Sequence, residues 1–212
     1  TQIYKMVRES LIESVRIRMA SDREVGCLLS GGLDSSLVSA IAAEYCKEHG
    51  KKLHTFSISM QENSPDEIAA KIVAEHIDSI HTHIRIPPIE WLNAREKIIN
   101  VTSTYDVTSI RASTGQYLIS KWIKENTNIK VLLIGDGSDE LTGGYKYFIN
   151  APSAEEYHLE ILRLLNDIHY FDVLRADRCV SIWGLEGRVP FLDINFQKLY
   201  LSIDPKLRMP ID

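Results

Sequence analysis

A short apolar segment, followed by a turn of small polar residues and then by a helix, sets the strongest limit on how this chain can fold. Residues 25–29 (VGCLL) are mostly apolar and predict a short buried strand. The stretch from Leu37 to Tyr45 predicts a helix, and the turn between the two, Ser30–Ser36, has the sequence SGGLDSS. The chain therefore contains a strand that runs through a tight polar turn into a helix.

The rest of the chain alternates between the same two kinds of element. Apolar spacing predicts helices over 3–19, 65–77, 89–102 and 114–125, strands over 53–59, 81–86 and 130–134, and a helical region over 153–201 that a loop interrupts at 184–193. We therefore predict one α/β domain over 1–212, with a parallel sheet covered by helices on both faces and a helical C-terminal segment. Ligands bind such sheets beyond the carboxyl ends of the strands, which is where the first turn lies.

Composition excludes several classes of protein. The content of 44% apolar and 25% charged residues is typical of a globular domain, and a net charge of −5 without a basic run argues against nucleic-acid binding. No apolar run approaches the roughly 18 residues that span a bilayer, and residues 1–22 are too charged for a secretory signal. Cys27, Cys46 and Cys179 lack a paired spacing, so we expect free thiols in the reducing cytoplasm.

The turn Ser30–Ser36 has the chemistry of an anion site. Its glycines allow a ligand to approach the backbone, and the hydroxyls of Ser35 and Ser36 face the same space as the free amides of the first helical turn. Asp34 would repel an anion, unless a divalent cation such as Mg2+ lies between the two. The structural alternative is an ordinary turn built from small residues.

A second acidic turn, residues 135–140 (GDGSDE), follows the strand predicted over 130–134. Three acids within five residues are costly to hold together unless a metal or a cationic group lies beside them. The alternative is a helix start, with Ser138 as the cap and Asp139 and Glu140 in the first turn. The sequence of this turn leaves both interpretations open.

Two further polar motifs have a structural alternative as well. Residues 104–114 (TYDVTSIRAST) are too polar for a core and contain one cation, Arg111, whose guanidinium suits a carboxylate or a phosphate. Their alternative is a loop that caps a helix. In residues 183–193 (WGLEGRVPFLD), Glu186 and Arg188 are alternatively an ion pair with each other.

Together these motifs resemble a known enzyme family. SGGLDSS after an apolar strand is similar to the signature of the PP-loop ATP pyrophosphatases, and no Walker A lysine follows it. All four motifs, over nearly the whole chain, resemble the synthetase domain of glutamine-dependent asparagine synthetases. The resemblance implies an adenine nucleotide α-hydrolase-like fold and a ligase. In that reaction aspartate attacks the α-phosphate of Mg-ATP, giving β-aspartyl-AMP and pyrophosphate, and ammonia then displaces AMP to give asparagine.

The resemblance also implies a role for each motif. Pyrophosphate is held by the first turn, through Ser30, Gly31, Gly32, Asp34, Ser35 and Ser36. Adenosine is contacted by Leu29, Ile58, Ile134 and Gly135. Asp34 and Asp139 are the implied Mg2+ ligands. Thr108 and Arg111 match positions linked to the aspartate and its adenylate.

Asp136 departs from the family pattern, which usually has Glu at this position, suited to take a proton from the attacking ammonia. Asp keeps the carboxylate but shortens its reach by one methylene, whereas a general base must come within about 3 Å of its proton. Our hypothesis is that the ammonia step is slowed, or that a water molecule fills the gap.

The implied substrates are aspartate, ATP, and ammonia or glutamine. We expect the family's glutaminase domain to lie outside these 212 residues, joined in cis or supplied in trans, and the resemblance allows a homodimer. Two alternatives stay open. One is a related PP-loop synthetase that closes an amide or lactam, and the other is a nucleotide-binding relic without catalysis.

Overall fold

Five parallel strands form one sheet in the computed structural model, which describes residues 2–210. The strands are β1 (Val25–Leu28), β2 (His54–Ser59), β3 (Ile80–Arg85), β4 (Val131–Leu133) and β5 (Glu186–Arg188). Their order across the sheet is β3-β2-β1-β4-β5. β1 is therefore the central strand, and its Cys27 pairs with Thr55 of β2 on one side and with Leu133 of β4 on the other.

Ten α-helices within residues 2–210 surround the sheet. They are α1 (Gln2–Met19), α2 (Leu33–Glu48), α3 (Pro65–His76), α4 (Pro88–Thr102), α5 (Val107–Asn126), α6 (Ser138–Thr142), α7 (Ala154–Asp167), α8 (Asp172–Ser181), α9 (Ile194–Ser202) and α10 (Pro205–Arg208). Short 3-10 turns lie at Lys146–Asn150, Ile168–Tyr170 and Pro190–Leu192. No helix in the described part of the chain is long and apolar enough to cross a membrane.

Two neighbouring residues of β4 pack into separate hydrophobic cores on opposite faces of the sheet. Leu132 packs with residues of α4, α5 and α8 on one face of the sheet. Leu133 packs with residues of α1, α2 and α9 on the other face. Because both faces are covered there, β1 (VGCL) and β4 (VLL) carry no polar side chain and do not alternate. This arrangement confirms the predicted α/β fold with helices on both faces of a parallel sheet.

A row of polar side chains lies on the face of the sheet under α3. The two nitrogens of His81 are hydrogen-bonded to Thr55 Oγ1 at 2.9 Å and to Ser57 Oγ at 3.0 Å. His83 is bonded in the same way to Ser57 Oγ at 2.7 Å and to Ser59 Oγ at 2.9 Å. Hydroxyls thus satisfy both imidazoles between β2 and β3.

Two boundaries differ from the sequence prediction. Helix α5 begins at Val107 rather than at residue 114, because Asp106 caps it by accepting a 2.6 Å hydrogen bond from the amide of Ser109. The segment predicted as a loop over 184–193 contains β5, a three-residue edge strand that pairs with β4. Within β5 the Arg188 guanidinium bonds Glu186 at 2.7 Å, as the structural alternative for this motif predicted.

Candidate active site

A cavity of about 650 Å³ lies at the carboxyl ends of β1, β2 and β4. It is the edge at which a parallel sheet is expected to bind its ligands. Most of the residues singled out in the sequence line it, namely Leu29, Ser30, Gly32, Asp34, Ser35, Ile58, Thr108, Arg111, Ile134, Gly135, Asp136 and Asp139. Gly31 and Ser36 belong to the same turn but are not among its lining residues. The fold thus brings three of the four motifs to one site.

The first turn is fixed against α3 by a glycine. Gly31 has φ +84°, and a Cβ there would lie 2.5 Å from Cβ of Ala69 and 2.6 Å from the backbone nitrogen of Ala70. Only glycine fits this position, because both the backbone conformation and the space exclude a side chain. The turn therefore packs directly on the backbone of α3.

The N-terminus of α2 opens into the cavity without a side-chain cap in the described structure. Its cap residue is Gly32, and the nearby hydroxyls bond one another, with Ser30 Oγ 3.0 Å from Ser35 Oγ. Ser36 Oγ donates to the carbonyl of Gly32 at 2.7 Å. The first amides of α2 are left for an anion, which the helix dipole also favours.

The second acidic turn touches the first. A Cβ at Gly135 would come within 2.9 Å of the amide nitrogen of Ser35, so the two backbones are in close contact there. Helix α6 is capped by Gly137, and Ser138 is its first residue. Ser138 was therefore wrongly placed as the cap in the helix-start alternative. Its hydroxyl instead donates a 2.7 Å hydrogen bond to Oδ1 of Asp34.

Negative charge accumulates between these turns. Burial raises the pKa of Asp139, and the carboxylates of Asp34, Asp172 and Asp136 raise it further. No group of three or more His, Cys, Asp or Glu residues within residues 2–210 is arranged to enclose a metal by itself. Mg2+ in nucleotide sites is usually held by one or two carboxylates together with phosphate oxygens. The oxygen donors of Asp34 and Asp139 fit such a shared site.

Asp136 lies in the same cavity, where the amide of Gln116 and the guanidinium of Arg175 act on its carboxylate. Nε2 of Gln116, on α5, donates a 2.7 Å hydrogen bond to Oδ2 of Asp136. Burial raises the pKa of Asp136, although the charge of Arg175 and the bond from Gln116 favour its ionised form. This carboxyl is consequently a stronger base than a solvated aspartate.

Arg175 and Asp172, both on α8, form a largely buried ion pair in the wall of the cavity. Burial works against the guanidinium charge, but the carboxylates of Asp136 and Asp172 outweigh it and raise the pKa of Arg175. Neither residue is among the site residues predicted from the sequence. No motif marks them in the sequence, and the packing of α8 against α5 brings them to the site.

Glu140 belongs to the acidic turn 135–140, and its side chain is buried, with 3% of its surface exposed. The sequence predicted no separate role for it. It accepts a hydrogen bond from the hydroxyl of Tyr145. Burial raises the pKa of Glu140 to about 7, even though the bond from Tyr145 favours the charged form. Arg175 lines both this cavity and an adjoining one of about 420 Å³.

Thr108 and Arg111 lie on the first turns of α5, with exposed side chains at the cavity wall. An apolar strip of Leu29, Ile58, Trp91 and Ile134 lines another part of it. The cavity thus combines an anion site, two carboxylates suited to Mg2+, an exposed guanidinium and a surface for a flat ring. Such a combination suits a nucleotide and a small anionic substrate.

Comparison with known proteins agrees with this chemistry. The family model described as asparagine synthase matches residues 6–162 and 149–211. The human asparagine synthetase (glutamine-hydrolyzing), from Homo sapiens, is 50% identical over 199 residues, which is 93% of this chain and 35% of the relative. The enzyme of the same name from Gallus gallus is 50% identical over 206 residues, covering 96% of this chain and 36% of the relative.

The chain spans about a third of the length of the curated relatives it matches. The family match covers nearly all of residues 6–211, including the three motifs that meet in the cavity. The chain therefore belongs to the asparagine synthase family.

Proposed function

We propose that this chain carries out the ATP-dependent conversion of aspartate to asparagine through β-aspartyl-AMP, releasing AMP and pyrophosphate. The observation that supports this most directly is the hydrogen bond from Ser138 to Asp34. It joins the acidic turn 135–140 to the turn 30–36, beside the N-terminus of α2, which no described side chain caps. The names of the similar proteins support the same reaction.

The proposed binding of ATP follows the chemistry of the cavity wall. The amides and hydroxyls of residues 30–36 bind the pyrophosphate part, and the apolar strip with Gly135 receives the adenosine. Asp34 and Asp139 would hold Mg2+, which neutralises phosphate charge when it is bound. Thr108 and Arg111 orient the aspartate and its adenylate, since a guanidinium pairs well with carboxylate and phosphate.

In the proposed second half of the reaction, Asp136 is the general base. The lone pair of ammonia attacks the acyl carbon, the bond from that carbon to the AMP oxygen breaks, and AMP leaves with the electron pair. Asp136 accepts the proton that the nitrogen loses. Its half-buried position and raised pKa suit this task better than those of a surface aspartate would.

The proposal extends to partners and location. The nitrogen comes from ammonia directly, or from glutamine through a glutaminase domain in cis or in trans. A homodimer and a cytoplasmic location also belong to the proposal, the latter supported by three buried free cysteines.

The test is aspartate-dependent release of pyrophosphate from Mg-ATP by the purified protein, with and without ammonium, scoring AMP and asparagine. We expect pyrophosphate, AMP and asparagine together, and loss of all three in EDTA or in Asp34→Asn. Pyrophosphate with a cyclised amide in place of asparagine would favour the lactam-forming alternative. Pyrophosphate without any amide product would indicate a defect in the ammonia step. Binding of Mg-ATP without any pyrophosphate would support the non-catalytic relic.

A further inference from the structure

Gln116 and Asp136 are coupled by the geometry of the cavity. Gln116 lies on α5, and its Nε2 donates to Oδ2 of Asp136 at 2.7 Å across the cavity wall. An ionised carboxylate only accepts hydrogen bonds, so the NH2 end of the amide must face it. The orientation of the Gln116 side chain is thereby fixed by Asp136.

The opposite end of the same amide is not satisfied. Oε1 of Gln116 is buried and has no hydrogen-bond partner among the described residues. A buried carbonyl without a partner is unfavourable, and one in a native site calls for an explanation. An apolar side chain of similar size would avoid this cost, so stability alone does not account for a glutamine here. The feature that glutamine adds is the donor to Asp136.

Among the described residues, the other group that stabilises the Asp136 carboxylate is the guanidinium of Arg175. The guanidinium of Arg175 is already paired with Asp172, and it acts on Asp136 through its charge. The bond from Gln116 is therefore the directional contact that sets where the Asp136 carboxylate points. Direction matters at this position because an aspartate reaches one methylene less far than a glutamate, and a general base must meet its proton within about 3 Å.

We propose that Gln116 is a positioning residue for the nitrogen-transfer step, holding the short side chain of Asp136 in the orientation that accepts the proton of the attacking amine. This inference rests on the proposed function and adds to it a residue that acts only through Asp136. It requires that Gln116 matter for amide formation and not for adenylation.

The experiment compares Gln116→Met with the unchanged protein in two assays. Aspartate-dependent exchange of pyrophosphate into ATP reports adenylation without ammonia, and asparagine formation at increasing ammonium reports the second step. We expect exchange within about twofold and a maximal rate of asparagine formation lower by about tenfold or more. A matched control is Gln197→Met, because within residues 2–210 the side chain of Gln197 donates one hydrogen bond, to the carbonyl of Leu192, and does not line the cavity.

Rescue separates positioning from a structural effect. In an Asp136→Glu background the longer side chain depends less on Gln116, so we expect Gln116→Met to cost less than about threefold there. Equal losses in both assays, no loss in either, or a full tenfold loss in the Asp136→Glu background would overturn the role of Gln116. Absence of aspartate-dependent exchange in the unchanged protein would instead overturn the proposed function, and this inference with it.

Discussion

Ser138 Oγ donates a 2.7 Å hydrogen bond to Oδ1 of Asp34, a residue that lies 104 positions earlier in the chain. The bond ties the turn after β4 to the turn after β1 and orients one of the two carboxylates that fit a divalent cation. The two motifs are far apart in the sequence, and they meet because both follow strands that end at the same edge of the sheet.

Removal of the Ser138 hydroxyl should weaken the apparent affinity for Mg-ATP and have a smaller effect on the stability of the fold. In Ser138→Ala, Asp34 loses a donor and its carboxylate is no longer fixed, so we expect the Mg-ATP concentration for half-maximal pyrophosphate release to rise by about tenfold. Ser202→Ala is a suitable control, since Ser202 is exposed in α9 and its hydroxyl bonds only a local carbonyl. An unchanged requirement for Mg-ATP would show that Asp34 is oriented without Ser138.

A methyl group at residue 31 should destabilise the protein. Gly31→Ala combines a positive φ with a Cβ placed 2.5 Å from Ala69, so the turn and α3 must separate. We expect a loss of about 2–4 kcal/mol in the free energy of unfolding, measured by urea denaturation. Gly50→Ala provides the control, because φ is +68° there but nothing lies within 4 Å, and about 1 kcal/mol is expected. Equal costs at the two positions would contradict the close packing of the turn on α3.

Stability should fall in mild acid. Burial lowers the pKa of His81 to about 4, with the neighbouring His83 and Lys71 adding to the effect, and burial also lowers the pKa of His83 despite the attraction of Glu67. An unfolded histidine has a pKa of about 6.5, so below that pH the unfolded chain binds more protons than the folded one. The stabilising effect is complete above about pH 6.5 and is lost as the pH falls towards 4.

The measurement is the urea midpoint at several pH values between these limits. We expect a decline from neutral pH to pH 5 that becomes shallower in His81→Gln, which cannot bind a proton in the unfolded state. The exposed His76, on α3, serves as the control, and His76→Gln should keep the full decline. Lys71 and Glu67 on α3 and Arg85 on β3 face the same row. A decline that does not depend on His81 would point to His83, whose pKa burial also lowers.

Loss of the Arg175 guanidinium should leave the negative charges of Asp172 and Asp136 without this nearby positive charge. In Arg175→Met, Asp172 loses its ion-pair partner and Asp136 loses a nearby positive charge, and we expect the free energy of unfolding to fall by about 2–4 kcal/mol. Arg178→Met on the same helix should cost less than about 0.5 kcal/mol, since its side chain is 56% exposed. Similar effects at the two positions would argue against a buried ion pair.

The sequence predicted the sheet and its main site because those features depend on local patterns. The apolar run before Ser30 determines its own structure, and so does the start of α3, where the side chain of Ser64 accepts a hydrogen bond from the amide of Glu67. The signal was weaker where polar residues are buried. In α5 the polar segment that resembled a loop is helical, because Asp106 caps it and the hydroxyl of Thr114 is satisfied by donating to the carbonyl of Ile110.

Other parts of the site depend on contacts that no local pattern encodes. Arg175 reaches the cavity because α8 packs on α5. Gln116 can be recognised as part of the site only once its hydrogen bond to Asp136 is seen. Strand β5 escaped prediction for a related reason. It has three residues, pairs on one side only, and includes the charged Glu186 and Arg188.

The central place of β1 also bears on the order of folding. Val25 pairs with Val131, so the two turns of the cavity meet only after a segment of more than a hundred residues has closed. Contacts of such long sequence separation form late and slowly. Under the proposed function, a nucleotide that needs both turns would bind only chains that have completed this step, and it would stabilise them against unfolding. The supply of substrate would therefore set the fraction of newly made protein that stays folded as well as the rate of the proposed reaction.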